Sequence, residues 1–130
     1  MVTILAVDDD QDDLEIFQSS IKEINPAINC ILAKDGEEAL AILANTIPDV
    51  VFLDINMAKM DGFECLAHIK SDSSLKNIPI VIYSTALQSY NAQYLYDRGV
   101  NYLVKQPTLK KTIESLRSVL KKVLPIQFHL

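Results

Sequence analysis

The sequence predicts an α/β domain: a doubly wound, mostly parallel sheet of five strands with five helices. Three observations carry this. Strand-type and helix-type periods alternate five times along 130 residues, without repeat, low-complexity stretch or linker. The run Val50-Val51-Phe52-Leu53 is apolar on both alternating faces, as a strand covered by helices on both sides is. Charged groups stand where apolar runs end: five aspartates follow Val7, Asp54 follows Leu53 and Lys105 follows Val104.

Residues 2–7 read as the first strand. From 11 to 24, Leu14, Phe17, Ile21 and Ile24 recur three or four residues apart, the stripe of an amphipathic helix that Asn25-Pro26 ends. Residues 30–33 form a short second strand. Asp35 then serves as N-cap of a second helix, with Glu38 as its capping-box partner. That helix runs to about Asn45 and turns Ala39, Leu40, Leu43 and Ile47 inward before Pro48. After the third strand, 50–53, Asp61-Gly62 reads as a turn in which Gly62 supplies a positive φ. The third helix spans 63–70, and the polar stretch 71–77 leads through Pro79 to the fourth strand, 80–83. A fourth helix, about 89–98, ends at Gly99, a suitable left-handed residue past a helix end. The fifth strand is 102–104. Leu109, Ile113, Leu116, Leu120 and Leu124 stripe the last helix, and Pro125 ends it, leaving a six-residue tail. Ten elements in strict alternation fill residues 1–130, so a single domain is expected.

A chain of this length buries roughly two-thirds of its unfolded surface and can hold a core unaided. Apolar residues make up 49%, which excludes a disordered chain. No apolar run approaches the ~18–20 residues of a membrane span, and the N-terminus lacks the pattern of a signal peptide. A cytoplasmic protein without a membrane partner is therefore expected. Cys30 and Cys65, isolated and outside any CxxC pattern, read as small core fillers. The net charge of −5 is uneven: residues 1–64 carry 14 acids and 3 bases, residues 65–130 carry 3 acids and 9 bases. Lys110, Lys111, Arg117, Lys121 and Lys122 read as a solvated face of the last helix. The stretch lacks interleaved aromatics and the whole is acidic, so no nucleic-acid partner is expected.

In an open parallel sheet, ligands bind beyond the carboxyl ends of the strands. Asp8 and Asp9 stand there and repel one another unless a cation compensates. One or two carboxylates, retained waters and a phosphate oxygen are what Mg²⁺ takes. Asp10, Asp12 and Asp13 also favour the dipole at the start of the first helix. Asp54 ends the most buried strand, where an isolated charge is costly. It can ligate a metal, attack phosphorus as a nucleophile, or both. Lys105 supplies a compact positive charge that suits phosphate. Ser84 and Thr85 end the fourth strand, and either hydroxyl can reach a phosphoryl oxygen or simply cap a turn. No glycine-rich nucleotide loop is present, and His68 and His129 lack ligand-like spacing.

Taken in order, these residues resemble the receiver domain of two-component response regulators, over essentially the full length. The resemblance rests on Asp8-Asp9 after the first strand, Asp54 in Phe-Leu-Asp-Ile-Asn-Met, and the loop ending Met60-Asp61-Gly62. Further on it rests on Ser84-Thr85 after Ile-Pro-Ile-Val-Ile-Tyr, and on Gly99, Tyr102 and Lys105. The acid-rich start Asp-Asp-Asp-Gln-Asp-Asp is similar to that of single-domain receivers of the phytochrome-associated type. The resemblance implies a flavodoxin-like strand order 2-1-3-4-5 and a single receiver domain, 1–130, with no output domain. It implies Asp54 as phosphoacceptor and Mg²⁺ on Asp9, Asp54 and the main-chain carbonyl of Asn56, with Asp8 acting through a metal-bound water. It makes Ser84 the switch hydroxyl, Tyr102 the aromatic that follows it, and Lys105 the partner of the phosphoryl group. Asn56 and Ala86 flank the approach of an attacking water.

Two departures from the family pattern stand out. Ala58 occupies the position four residues after the phosphoacceptor where proline is usual. In Lys105-Gln106-Pro107 the proline comes one residue late, and a non-proline cis bond costs ~2.5–4 kcal/mol, so a trans Lys105–Gln106 bond is expected.

The function so implied is a stand-alone response regulator of a two-component phosphorelay. It would take a phosphoryl group from a histidine kinase phosphohistidine onto Asp54 in a Mg²⁺-dependent reaction and signal by protein contact. It would not be an enzyme acting on other substrates, although it promotes its own phosphorylation and dephosphorylation. Expected partners are a sensor histidine kinase of phytochrome or hybrid type, a histidine phosphotransfer protein, and a second copy bound through the fourth helix, fifth strand and fifth helix, where Tyr90 and Tyr94 lie one helical turn apart. The alternative is a receiver-like interaction module that is never phosphorylated, which a small phosphodonor distinguishes. A phosphatase-type hydrolase is disfavoured by Asn56, because such enzymes place a second acid two residues after the nucleophile.

Overall fold

The computed structural model describes residues 1–85 and 89–124, without the side chains of 89–91. Ala86, the Tyr90 side chain, the Pro125 stop and His129 lie outside the described residues. The elements alternate as β1 (Thr3–Val7), α1 (Gln11–Ile24), β2 (Asn29–Ala33), α2 (Gly36–Leu43), β3 (Val50–Leu53), α3 (Gly62–Ser71), β4 (Ile80–Ser84), α4 (Ser89–Asp97), β5 (Asn101–Val104) and α5 (Leu109–Val123). All strand pairs are parallel and the order is β2-β1-β3-β4-β5, as the sequence implies. No described helix is long and apolar enough to cross a membrane.

The alternation of side chains across the strands divides the core in two. Leu5, Val7, Val51, Leu53, Ile80 and Ile82 face one layer, where Leu43, Leu66, Ile69 and Leu95 cover them. Ile4, Ala6, Val50, Phe52, Val81 and Tyr83 face the other, against Phe17 and Ile21 of α1 and Leu116 and Leu120 of α5. Phe17, Phe52 and Tyr83 meet there edge to face or tilted, with ring centroids 4.9 to 6.1 Å apart. All four residues of β3 are buried. Burial pushes the thiols of Cys30 and Cys65 up to about 12 and about 11, which keeps both neutral and fits their role as core fillers.

The helix starts are capped by short polar side chains. Asp10 accepts from the backbone N–H groups of Asp12 and Asp13, Asp35 from Glu38, Asp61 from Glu64 and Thr108 from Lys111. The capping box at Asp35 is modified, because Glu38 Oε1 accepts from Lys34 N at 3.3 Å, one residue before the cap. Past α4, Gly99 adopts φ +67°. Its N–H donates to Tyr96 O and that of Val100 to Leu95 O, the Schellman pattern expected of a terminal glycine.

Four expectations are corrected. Ile47 is 59% exposed because α2 ends at Leu43, which leaves Ile47 outside the helical stripe. Leu109 is 55% exposed at the first position of α5, on the wall of an open groove that it shares with Glu15 and Ile16 of α1. Asp61 caps α3 instead of forming an isolated turn, and Gly62 is the first helical residue. The positive φ in this loop belongs to Lys59, at 67°. Among the described residues every peptide bond is trans, Lys105–Gln106 included.

Candidate functional site at the carboxyl edge of the sheet

The parallel register brings the ends of β1, β3, β4 and β5 to one edge. Backbone bonds fix their positions: Asp54 N donates to Val7 O at 3.0 Å, Asp8 N to Ala33 O at 3.1 Å, and Lys105 N to Ser84 O at 2.8 Å. The strands thus carry Asp8, Asp54, Ser84 and Lys105 to a common point.

Asp8 and Asp54 are buried and Asp9 is exposed. Each offers a carboxylate oxygen, and the three oxygens lie within 4.8 Å of one another. Such a set of hard donors fits a small divalent cation and leaves part of its shell to water or phosphate. Asp8 Oδ1 also accepts from Asp10 N at 2.9 Å, and Asp54 Oδ1 receives a long bond from Asn56 N at 3.4 Å. Asn56 itself is exposed beside the cluster.

Lys105 is the counter-charge. Its Nζ lies 2.6 Å from Asp8 Oδ2, 2.8 Å from Asp13 Oδ2 and 3.5 Å from Asp54 Oδ2. Burial alone would lower its pKa, but hydrogen bonds to Asp13 and Asp8 outweigh this and raise it, so the amine stays charged. Burial pushes Asp8 up to about 6, with the nearby Asp54 charge adding to the rise, against the hydrogen bond from Lys105.

Among the described residues Ser84 Oγ has no hydrogen-bond partner, and the residue is only 1% exposed, at the edge where the acids gather. Thr85, the alternative hydroxyl, is exposed. Tyr102 is 47% exposed on the edge strand β5, on the outward side of its alternation.

Three features of the site were not legible as such. Asp13 is bound to Lys105 across 92 positions and is more than a helix-dipole acid. Its signal was the stripe itself, since Asp13 precedes the buried Leu14 in the first turn of α1. Ala58 N donates to Asp9 Oδ2 at 3.2 Å, a bond that proline at this position could not make. Gly62 approaches Asp54 so closely that a Cβ would stand 2.3 Å from the Asp54 carbonyl oxygen.

Comparison with known proteins agrees with this geometry. The family model of the response regulator receiver domain matches residues 4–117. The chain is 32% identical over 124 residues to the response regulator Rcp1 of Synechocystis sp., covering 89% of this chain and 84% of the relative. The Mn²⁺-bound structure of Rcp1 superposes with a TM-score of 0.84 at 30% identity, covering 100% of this chain and 99% of that one. The structure of the phosphorylated cyanobacterial phytochrome response regulator RcpA gives 0.86 at 32% identity, covering 98% and 96%. Against the longer response regulator MprA of Mycobacterium sp. the identity is 33%, and the match spans only 53% of that protein. The sheet order, the strand-end acids and lysine, and these matches lead to one assignment: the chain belongs to the response regulator receiver domain family of two-component signalling.

Proposed function

We propose that this chain is a cytoplasmic response regulator domain that accepts a phosphoryl group onto Asp54 from the phosphohistidine of a sensor kinase and signals by protein contact. The observation that carries the reading is Asp54: a buried carboxylate at the end of the central strand, 3.5 Å from a charged lysine and clustered with Asp8 and Asp9. A nucleophile, a positive counter-charge and an oxygen set for a divalent cation are the parts that phosphoryl transfer uses. In the transfer, an Asp54 carboxylate oxygen forms a bond to phosphorus as the bond to the histidine nitrogen breaks. An imidazole protonated on its other nitrogen leaves neutral. Lys105 stabilises charge on the phosphoryl oxygens, and the unpartnered Ser84 hydroxyl donates to one of them. Asp8, Asp9, Asp54 and the Asn56 carbonyl are the groups to hold Mg²⁺, with Asp8 the less direct. Mg²⁺ supplies further positive charge to the transferring group.

The test is incubation with phosphoramidate and Mg²⁺, read by intact mass. Gain of one phosphoryl group that is lost when the metal is chelated is expected, and no gain in either condition overturns the reading. Calorimetric titration should show Asp9→Ala weakening Mg²⁺ binding most and Asp8→Ala less. The same affinity should fall as pH drops through about 6, because Asp8 then holds a proton in the cation's place. In chelator the sign for folding follows. The folded protein keeps that proton more tightly than the unfolded chain, so the group favours the fold below pH 3.8 and the contribution is lost as pH rises through about 6.

The relatives include a phytochrome response regulator by its own description, which supports a phytochrome-type kinase as the phosphodonor; a hybrid kinase and a histidine phosphotransfer protein are further partners proposed from the receiver chemistry alone. The output surface proposed is the face of α4, β5 and α5, through a partner or a second copy. Tyr96, 79% exposed, and Tyr102 stand on it, with Tyr94 held by Phe63 at 5.4 Å and by Arg98 stacked at 3.5 Å. Beryllofluoride should change self- or partner affinity by about 5–150-fold, a coupling of 1–3 kcal/mol, in sedimentation experiments. Amide exchange that changes only at the loops of Asp9, Asp54 and Lys105, with no shift in affinity, would contradict this output.

A further inference from the structure

We propose that Asp13 is a positioning residue for phosphoryl transfer: it anchors the Lys105 amine from α1, so that the amine stays over Asp54 when a cation and a phosphoryl group occupy the other acids. The inference rests on the reading of Asp54 as phosphoacceptor. Lys105 follows β5, the edge strand, and its side chain crosses β4 to reach Asp54 at the end of β3. Roughly 9–10 Å of sheet separate those two strands. A lysine reaching that far has a flexible four-carbon stem, and its amine goes where carboxylates hold it. Three do so. Asp8 and Asp54 belong to the carboxylate cluster that fits a cation, and Asp54 also receives the phosphoryl group. Asp13 is the one of the three outside that cluster.

Asp13 is also well placed to act as a fixed point. Its backbone N–H is capped by Asp10 Oδ1 at 3.2 Å, and it adjoins Leu14, which is buried against the sheet. When Asp8 and Asp54 turn their charge to a cation, Asp13 keeps its bond to the amine. Lys105 is then held at one side and free to point its remaining protons at the phosphoryl oxygens. Asp12 provides the internal comparison. It lies in the same helical turn, carries the same charge and is exposed, and no ion pair ties it to Lys105.

The experiment is the rate of phosphoryl uptake from phosphoramidate in the full chain, with Asp13→Asn, Asp12→Asn and Asp13→Glu. Asp13→Asn should lower the saturating rate by about tenfold, since misplacing a charge-stabilising group costs rate directly. Half-saturation by phosphoramidate and Mg²⁺ affinity should stay within about twofold, because Asp13 is not itself a ligand in the carboxylate cluster. Asp12→Asn should match the wild type within about twofold, and Asp13→Glu should recover part of the loss. In a Lys105→Ala background Asp13→Asn should add nothing, because Asp13 acts through the amine. Equal rates for Asp13→Asn and Asp12→Asn overturn the proposal. So does an Asp13→Asn loss that persists without Lys105 or that shows only in Mg²⁺ affinity. If the wild type itself takes up no phosphoryl group, the phosphoacceptor reading fails and this one with it; normal uptake in both wild type and Asp13→Asn leaves that reading standing and removes only the anchor.

Discussion

Asp54→Asn is expected to abolish phosphoryl uptake and, in the absence of divalent cation, to make the fold more stable. The first effect follows from chemistry: the amide is not the carboxylate nucleophile the transfer needs. The second follows from the charges. Asp8, Asp13 and Asp54 share one lysine, Asp9 adds a further carboxylate beside Asp8 and Asp54, and the Asp54 charge helps to raise the pKa of Asp8. Removing one like charge from a partly buried cluster relieves repulsion of order 1–2 kcal/mol, net of the longer 3.5 Å contact to Lys105. Urea denaturation in chelator should show the gain, and saturating Mg²⁺ should shrink it, since the cation relieves the same repulsion in the wild type. A variant that is less stable than the wild type in chelator would mean that Asp54 is held by its pairing with Lys105 and that repulsion is secondary.

Gly62→Ala carries the largest expected cost in stability. A Cβ there would lie 2.3 Å from the Asp54 carbonyl oxygen, 2.7 Å from Ile55 Cα and 2.9 Å from the Asp54 carbonyl carbon, all backbone. Backbone cannot swing aside as a side-chain tip can, so the start of α3 must move away from the end of β3. Alanine is the better helix former by ~1 kcal/mol, which the clash must exceed. We expect a net loss of about 3 kcal/mol together with slower phosphoryl uptake, because the displaced backbone carries Asp54. Gly36→Ala is the control. Its Cβ would meet Met60 Sδ at 2.8 Å, the flexible end of a side chain, and the change should cost under about 1 kcal/mol. Equal stability of Gly62→Ala and wild type by denaturant titration would show that the close approach does not exist.

What the sequence made legible has a physical pattern. Periodicity follows from local geometry, so the α1 stripe and the all-apolar β3 emerged at their observed positions. The strand-end acids and Lys105 were legible because a parallel sheet gathers its carboxyl ends at one edge whatever the intervening loops do. Long-range contacts were not. Gly62 was assigned to a turn because glycine serves both positive φ and close approach, and only the proximity of Asp54 distinguishes the two. Asp13 was assigned to the helix dipole because its partner lies 92 positions away. Ile47 extended an apolar stripe past the end of α2, and Leu109 extended one onto the first turn of α5, which borders an open groove.

The most direct test of the central claim is the chemical location of the phosphoryl group. Wild-type protein treated with phosphoramidate and Mg²⁺ should be trapped with borohydride, which reduces an acyl phosphate to the alcohol, then digested and sequenced by mass spectrometry. Homoserine at position 54, absent when the metal is chelated beforehand, is the result this account predicts. Reduction at Asp8, Asp9 or Asp13, or a phosphoryl group that survives borohydride unreduced, would contradict it.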